Sequence, residues 1–110
     1  MAENNNLIFH GCDVAELVKE YGAPLYIMSE DEIRERCREI KREFTEKYPD
    51  TRAAFAGKAC QTLDVCRIVA SEGMGLDVVS GGEIYAALKA GYDPALLEFN
   101  GNAKSRAEIE

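Results

Sequence analysis

Three short stretches of the sequence concentrate groups capable of chemistry. Lys58 sits among small or apolar neighbours, Phe55-Ala56-Gly57 before it and Ala59-Cys60 after it. An amine attacks a carbonyl only when neutral, and apolar surroundings favour the neutral form, so Lys58 is a candidate Schiff-base lysine. The plain alternative is a lysine snorkelling from a strand end to water. Asp77 interrupts the apolar run Leu76-x-Val78-Val79, and its carboxylate would stabilise a cation formed at Lys58. It could equally be the exposed position of an alternating strand. Ser80-Gly81-Gly82-Glu83 opens a helix, whose free N–H groups can bind an anion. The simpler reading is an N-cap that satisfies itself, since the motif is neither a dinucleotide-binding fingerprint nor a phosphate loop. Asn100, Gly101, Asn102 and Lys104 form the last polar cluster.

These clusters acquire meaning from the elements that hold them. Asp13-x-x-Glu16 caps a short helix reaching about Glu20 and ended by Gly22 and Pro24. Pro24–Met28 reads as a strand. Ser29-x-x-Glu32 opens a helix whose Ile33, Cys37, Ile40 and Phe44 recur on one apolar face. Its other face, Arg34, Glu35, Arg38, Glu39, Lys41 and Arg42, is a solvated charged surface with i,i+4 pairs. Beyond Pro49 the pattern becomes strand then helix, three times over. The strands are Ala53–Gly57, Leu76–Val79 and Leu96–Phe99. A helix from Thr62 bears Leu63, Cys66 and Val69 and stops near Gly73; one from Ser80 buries Ile84, Ala87 and Leu88 and closes at Gly91. Ser105-x-x-Glu108 is a further capping box.

The strands start roughly twenty residues apart, which implies parallel βα units. Each of the three clusters follows a strand, where α/β folds place their function. A doubly wound sheet and a (β/α)8 barrel both fit. A barrel needs about 250 residues, so these 110 residues are expected to be a fragment of a longer protein. The alternative, a small three-stranded sheet, would leave parallel edges bare.

Composition narrows the partners. Thirteen basic against 20 acidic residues give a net charge of −7, which argues against nucleic acid and against a polybasic membrane patch. No apolar run approaches a membrane span of about 20 residues. The opening Met1–Asn6 lacks a signal peptide's basic and apolar regions and reads as a short disordered tail. Cys12, Cys37, Cys60 and Cys66 form no C-x-x-C pair, and the single His10 completes no zinc spacing. All four thiols are expected to be reduced, in a cytoplasmic protein without a metal.

The motifs resemble those of one family. Ala54-Phe55-Ala56-Gly57-Lys58-Ala59 is similar to the Y-A-x-K-A lysine motif of the fold-type III, alanine racemase-like decarboxylases, which use pyridoxal 5'-phosphate (PLP). Gly75–Glu83 resembles the next strand and turn of the family's diaminopimelate-acting branch, and Phe99-Asn100-Gly101-Asn102-x-Lys104-Ser105 its F-[HN]-G-N-x-K motif. The opening Tyr21-Gly22-Ala23-Pro24-Leu25-Tyr26 fits as well, so the resemblance runs from about His10 to Glu110.

The resemblance implies an α/β fold, the first three βα units (residues 29–110) of a PLP-binding (β/α)8 TIM barrel. Residues 1–28 would form a tail, a short helix and a strand belonging to a separate β-domain. It also implies that the full-length protein, a homodimer, decarboxylates meso-diaminopimelate to L-lysine, the fragment alone being inactive. A sister enzyme acting on ornithine, arginine or carboxynorspermidine, or a non-catalytic PLP carrier or structural fragment, is the alternative. Lys58 would carry the PLP, Asp77 would contact it, and Ser80, Glu83, Asn100 and Asn102 would wall the site. Phe55 stands where Tyr is common and Cys60 where Asn or Phe is frequent; neither change removes the lysine. The family's phosphate-binding glycines, its acidic partner for the pyridine nitrogen, its ring-stacking histidine and the cysteine donated across a dimer are expected later in the chain.

Overall fold

The computed structural model describes residues 5–110. Residues 1–4 of the proposed tail lie outside the described residues. Asn6 is tied down, its amide donating to Asp13 Oδ2 at 2.8 Å.

An antiparallel hairpin that the sequence reading did not foresee comes first: β1 (Ile8–Phe9) pairs with β2 (Cys12–Asp13). His10 and Gly11 turn it with φ of 45° and 82°, a conformation that a histidine–glycine pair tolerates. Asp13 then caps α1 (Val14–Tyr21), accepting from the Ala15 and Glu16 N–H groups. The expected strand at Pro24–Met28 does not form. The segment is extended, but no described chain pairs with it, and Tyr26 is 96% exposed.

Ser29 caps α2 (Glu30–Ile40), as its sequence requires. The expected single apolar face breaks at the π-helical turn Lys41–Thr45. The wider turn rotates later side chains away from the stripe. Cys37 is buried and Ile33 packs beside it, but Ile40 and Phe44 are exposed, Phe44 stacking on Tyr48 instead.

The main sheet is parallel, in the order β3 (Ala54–Ala56), β4 (Gly75–Val78), β5 (Leu97–Phe99). Helices α3 (Leu63–Ser71, N-cap Thr62) and α4 (Gly81–Ala90, N-cap Ser80) follow the first two strands. A four-residue helix, α5 (Arg106–Ile109), follows the third. Gly91 ends α4 in the left-handed conformation. Cys66, Leu76, Val78, Ala87 and Tyr92 form one buried cluster, flanked by Phe55, Leu97 and Phe99. A second cluster, Cys37, Val65, Val69 and Met74, seats α2 on α3. One expected core residue falls outside, since Leu88 is exposed; Leu63, at the start of α3, is exposed as well, and Val65 is buried in that first turn.

One charged group is buried between α2 and α3. Glu72 accepts from Arg34 at 2.9 Å and from Arg38 at 2.8 and 3.0 Å, while Lys41 donates to its backbone carbonyl at 3.0 Å. The Arg38 guanidinium, then Arg34, holds the Glu72 carboxyl below its ordinary range.

Candidate active site

Strand register assembles the site. Ala56 pairs with Asp77 and Asp77 with Glu98, so the three share one row on one face of the sheet. Phe55, Leu76 and Leu97, one residue back, form the row on the opposite face, against the helices. Two residues past Ala56, Asp77 and Glu98 come Lys58, Val79 and Asn100. The period of a strand returns these to the Asp77 face, at the carboxyl end of the sheet. They line a cleft of about 660 Å³, together with Asp77, Gly101, Asn102 and Ala103.

Lys58 is carried by a single 3-10 turn, Gly57–Ala59, directly after β3. Gly57 is required there by close approach. A Cβ at this position would collide with Gln61 Oε1 and lie 3.0 Å from the Asp77 carbonyl oxygen. Gly101 has φ of 105°, which favours glycine, and a Cβ placed there would stand 3.5–3.8 Å from atoms of Val79. The Asn100 N–H extends the ladder to the Val78 carbonyl at 2.9 Å. Lys104 turns away from the cleft lining to stand over the Phe99 ring, 4.9 Å from its centroid.

The structure therefore brings together Lys58, Asp77, Asn100 and Asn102. It does not bring Ser80 and Glu83 to the cleft wall. The Ser80 hydroxyl accepts from the Glu83 N–H at 3.3 Å, and Glu83 Oε2 accepts from the Val79 N–H at 2.6 Å. Both are spent on the start of α4, a local satisfaction that the S-x-x-E spacing favours. The anion site considered at that helix end is filled from within the chain: Glu108 Oε1 accepts from the Gly81 N–H at 2.8 Å. Lys58 is exposed rather than shielded, because three strands leave the cleft open at its sides.

Two contributors escaped the sequence reading. Val79 was legible, since it stands two residues beyond Asp77 on the same face. Gln61 gave no signal. Its amide donates to the Glu83 carbonyl at 2.6 Å, tying the Lys58 turn to α4.

Does this donor set suit a pyridoxal group? The cleft volume is within the range of about 300–1,000 Å³ for small-molecule sites. An amine that can condense with an aldehyde stands in it. Asp77 Oδ1 is buried and has no hydrogen-bond donor among the described residues. A buried carboxylate oxygen in that state favours a cationic or N–H partner. The residues fit.

Residues 30–110 match the family described as "Pyridoxal-dependent decarboxylase, pyridoxal binding domain". Across 108 residues the chain is 44% identical to the diaminopimelate decarboxylase of Bacillus methanolicus and equally to that of Methanothermobacter thermautotrophicus. In each case 98% of this chain aligns with 25% of the relative, so the chain spans about a quarter of the length of these curated relatives. Among solved structures, diaminopimelate decarboxylase from M. jannaschii in complex with L-lysine superposes with a TM-score of 0.88 at 35% identity, over 97% of this chain and 26% of that one. Lysine/ornithine decarboxylase from Vibrio vulnificus, complexed with putrescine, gives 0.78 at 26% identity, over 87% and 25%. Of the two architectures open at the sequence level, these neighbours select the first βα units of a fold-type III barrel.

Proposed function

Since the chain belongs to the pyridoxal-dependent decarboxylases, matching their pyridoxal-binding domain, we propose that it contributes the first wall of the PLP site in a diaminopimelate decarboxylase. The observation that carries this is the single face shared by Lys58, Asp77 and Asn100 at the strand ends, with an undonated buried oxygen on Asp77. The reaction proposed for the full-length protein is conversion of meso-diaminopimelate to L-lysine and carbon dioxide.

PLP, when bound, accepts the electron pair released as the bond between Cα and the carboxylate breaks. The chain's own residues do the rest of the local work. Lys58 would hold the cofactor through its amine. The Asp77 carboxylate, on the same cleft wall, would favour a positive charge at that amine, and its buried Oδ1 has no donor among the described residues. Asn100 and Asn102 offer amide donors and acceptors to the polar groups of an amino acid. Ser80 and Glu83 act from behind, fixing Val79 and the start of α4. Among the described residues the cleft lining holds one cation and one carboxylate, so phosphate anchoring is assigned to parts of the protein beyond this wall. We assign residues 29–110 to the barrel and the exposed segment around Tyr26 to contact with a second domain. We also place the full-length enzyme, as a homodimer, in the cytoplasm. The four cysteines are free, and no helix among the described residues is long and apolar enough to cross a membrane.

The test uses the full-length protein. Borohydride reduction after PLP addition should fix the cofactor on the peptide containing Lys58, and Lys58→Ala should abolish that labelling and lower turnover by about 10³-fold or more. Carbon dioxide release should be fastest from meso-diaminopimelate. Release chiefly from ornithine, arginine or carboxynorspermidine would reassign the enzyme to a sister activity. Labelling without any release would make it a carrier, and no labelling at Lys58 would overturn the reading.

A further inference from the structure

The loop that supplies Asn100, Gly101 and Asn102 to the cleft is bound at both ends. Its start continues the sheet through the Asn100 N–H. Its end is held by one side chain. Glu108 Oε2 accepts from the Ser105 N–H at 2.9 Å and the Ser105 hydroxyl at 2.7 Å, while Oε1 reaches across to the Gly81 N–H at 2.8 Å. The two oxygens of one carboxylate thus join the third loop to the first turn of α4. That turn follows directly on Val79, which also lines the cleft. The fit is close: a Cβ on Gly81 would stand 3.2 Å from Glu108 Cγ.

We propose that Glu108 is a positioning residue, a latch that fastens the Asn100–Asn102 wall of the cleft to the start of α4. The inference rests on the proposed PLP site for its functional meaning, though the latch itself can be observed without cofactor. A four-residue helix such as α5 has too few internal bonds to fix a loop by itself. The carboxylate supplies three charge-assisted bonds that only a residue at this place can make. Such bonds hold its acidity strongly, pulling the Glu108 carboxyl down to about 2, the Gly81 N–H being the largest influence. Loosening the latch would let Asn100 and Asn102 wander, and small misplacements of binding groups are costly to catalysis.

The experiment compares full-length wild type with Glu108→Ala and Glu108→Gln. Glutamine keeps an oxygen for Gly81 but cannot accept from both Ser105 donors with its amide nitrogen. Amide hydrogen exchange, read first without cofactor, should accelerate at Gly81 and across residues 100–105 in Glu108→Ala, with a lesser change in Glu108→Gln. Exchange in β3, β4 and β5 should stay at the wild-type rate. With substrate, KM should rise about tenfold in Glu108→Ala while kcat falls less. Wild-type exchange at these amides in Glu108→Ala would overturn the latch, as would acceleration spread evenly through the sheet. Failure of the underlying reading shows separately, as wild-type protein that does not take PLP on Lys58.

Discussion

On the helix-covered face of the main sheet, Phe55, Leu76 and Leu97 stand abreast, with Val78 and Phe99 in the next row. One residue along each strand, on the other face, stand Ala56, Asp77 and Glu98, and beyond them Lys58, Val79 and Asn100. Leu76 and Val78 are fully buried, whereas Asp77, between them, meets the cleft. The same three strands therefore carry a dry core and a polar site, separated only by the two-residue period of extended chain. A substitution on one face should register as stability and on the other as chemistry.

The largest effect on stability is expected at Leu76. Leu76→Ala removes a fully buried side chain from the first core cluster and should cost about 2–5 kcal/mol, seen as a lowered denaturant midpoint of the full-length protein. The fraction that remains folded should still take PLP on Lys58. A large loss of cofactor affinity in folded Leu76→Ala would show that the two faces are coupled. Asp77→Asn, one residue away, should do the reverse. It keeps the shape and removes the charge, so kcat/KM should fall roughly 10- to 100-fold, about 1.4–2.7 kcal/mol of transition-state stabilisation. Stability should be unchanged or raised, because the variant no longer buries an undonated carboxylate oxygen. A destabilised Asp77→Asn with full activity would place Asp77 in the core and erase the contrast.

The two faces also differ in how readily the sequence reveals them. The cleft face was legible because its residues break local patterns: a lysine among alanines and glycine, an aspartate in an apolar strand, an N-G-N run after the last strand. The helix caps at Asp13, Ser29, Thr62 and Ser80 were equally legible, since capping depends on neighbours within three residues. What could not be read depends on distant contacts. Leu63 and Leu88 lie on plausible apolar stripes and are nevertheless exposed, because helix rotation is set by what the sheet offers. The π-helical turn at Lys41–Thr45 turns Phe44 off the stripe without any local signal, while Ile40, just before the turn, stays beside Ile33 and Cys37 in a groove left open to solvent. Pro24–Met28 has strand composition but no pairing partner here, and a strand exists only through its ladder. The Glu108 bond to Gly81 spans 27 residues and joins two capping motifs that each look complete alone.

The smallest predicted effect sharpens the contrast by testing a third place, the helix layer, which belongs to neither face. Glu72 is nearly buried there and is held by Arg38 and Arg34, whose charges lower its carboxyl pKa below the ordinary 4.5. An acid more acidic in the folded chain than in the unfolded one adds stability above its unfolded pKa. That contribution disappears as the pH falls through the folded value, because the unfolded state binds the proton first. Denaturant midpoints followed by far-ultraviolet circular dichroism should therefore drop between pH 4.5 and lower pH more steeply in the parent than in Glu72→Gln. Added salt should flatten the parent's slope, since Arg38 is half exposed. Glu108 contributes to acid sensitivity in both proteins alike, so the difference between them isolates Glu72. At neutral pH, Glu72→Gln should label with PLP at Lys58 as the parent does, because the clamp joins α2 to α3 and touches no residue of the cleft. Parallel acid limbs would mean that the ion pair adds nothing beyond its hydrogen bonds, and that the apolar cluster around Cys37 and Val69 alone seats α2.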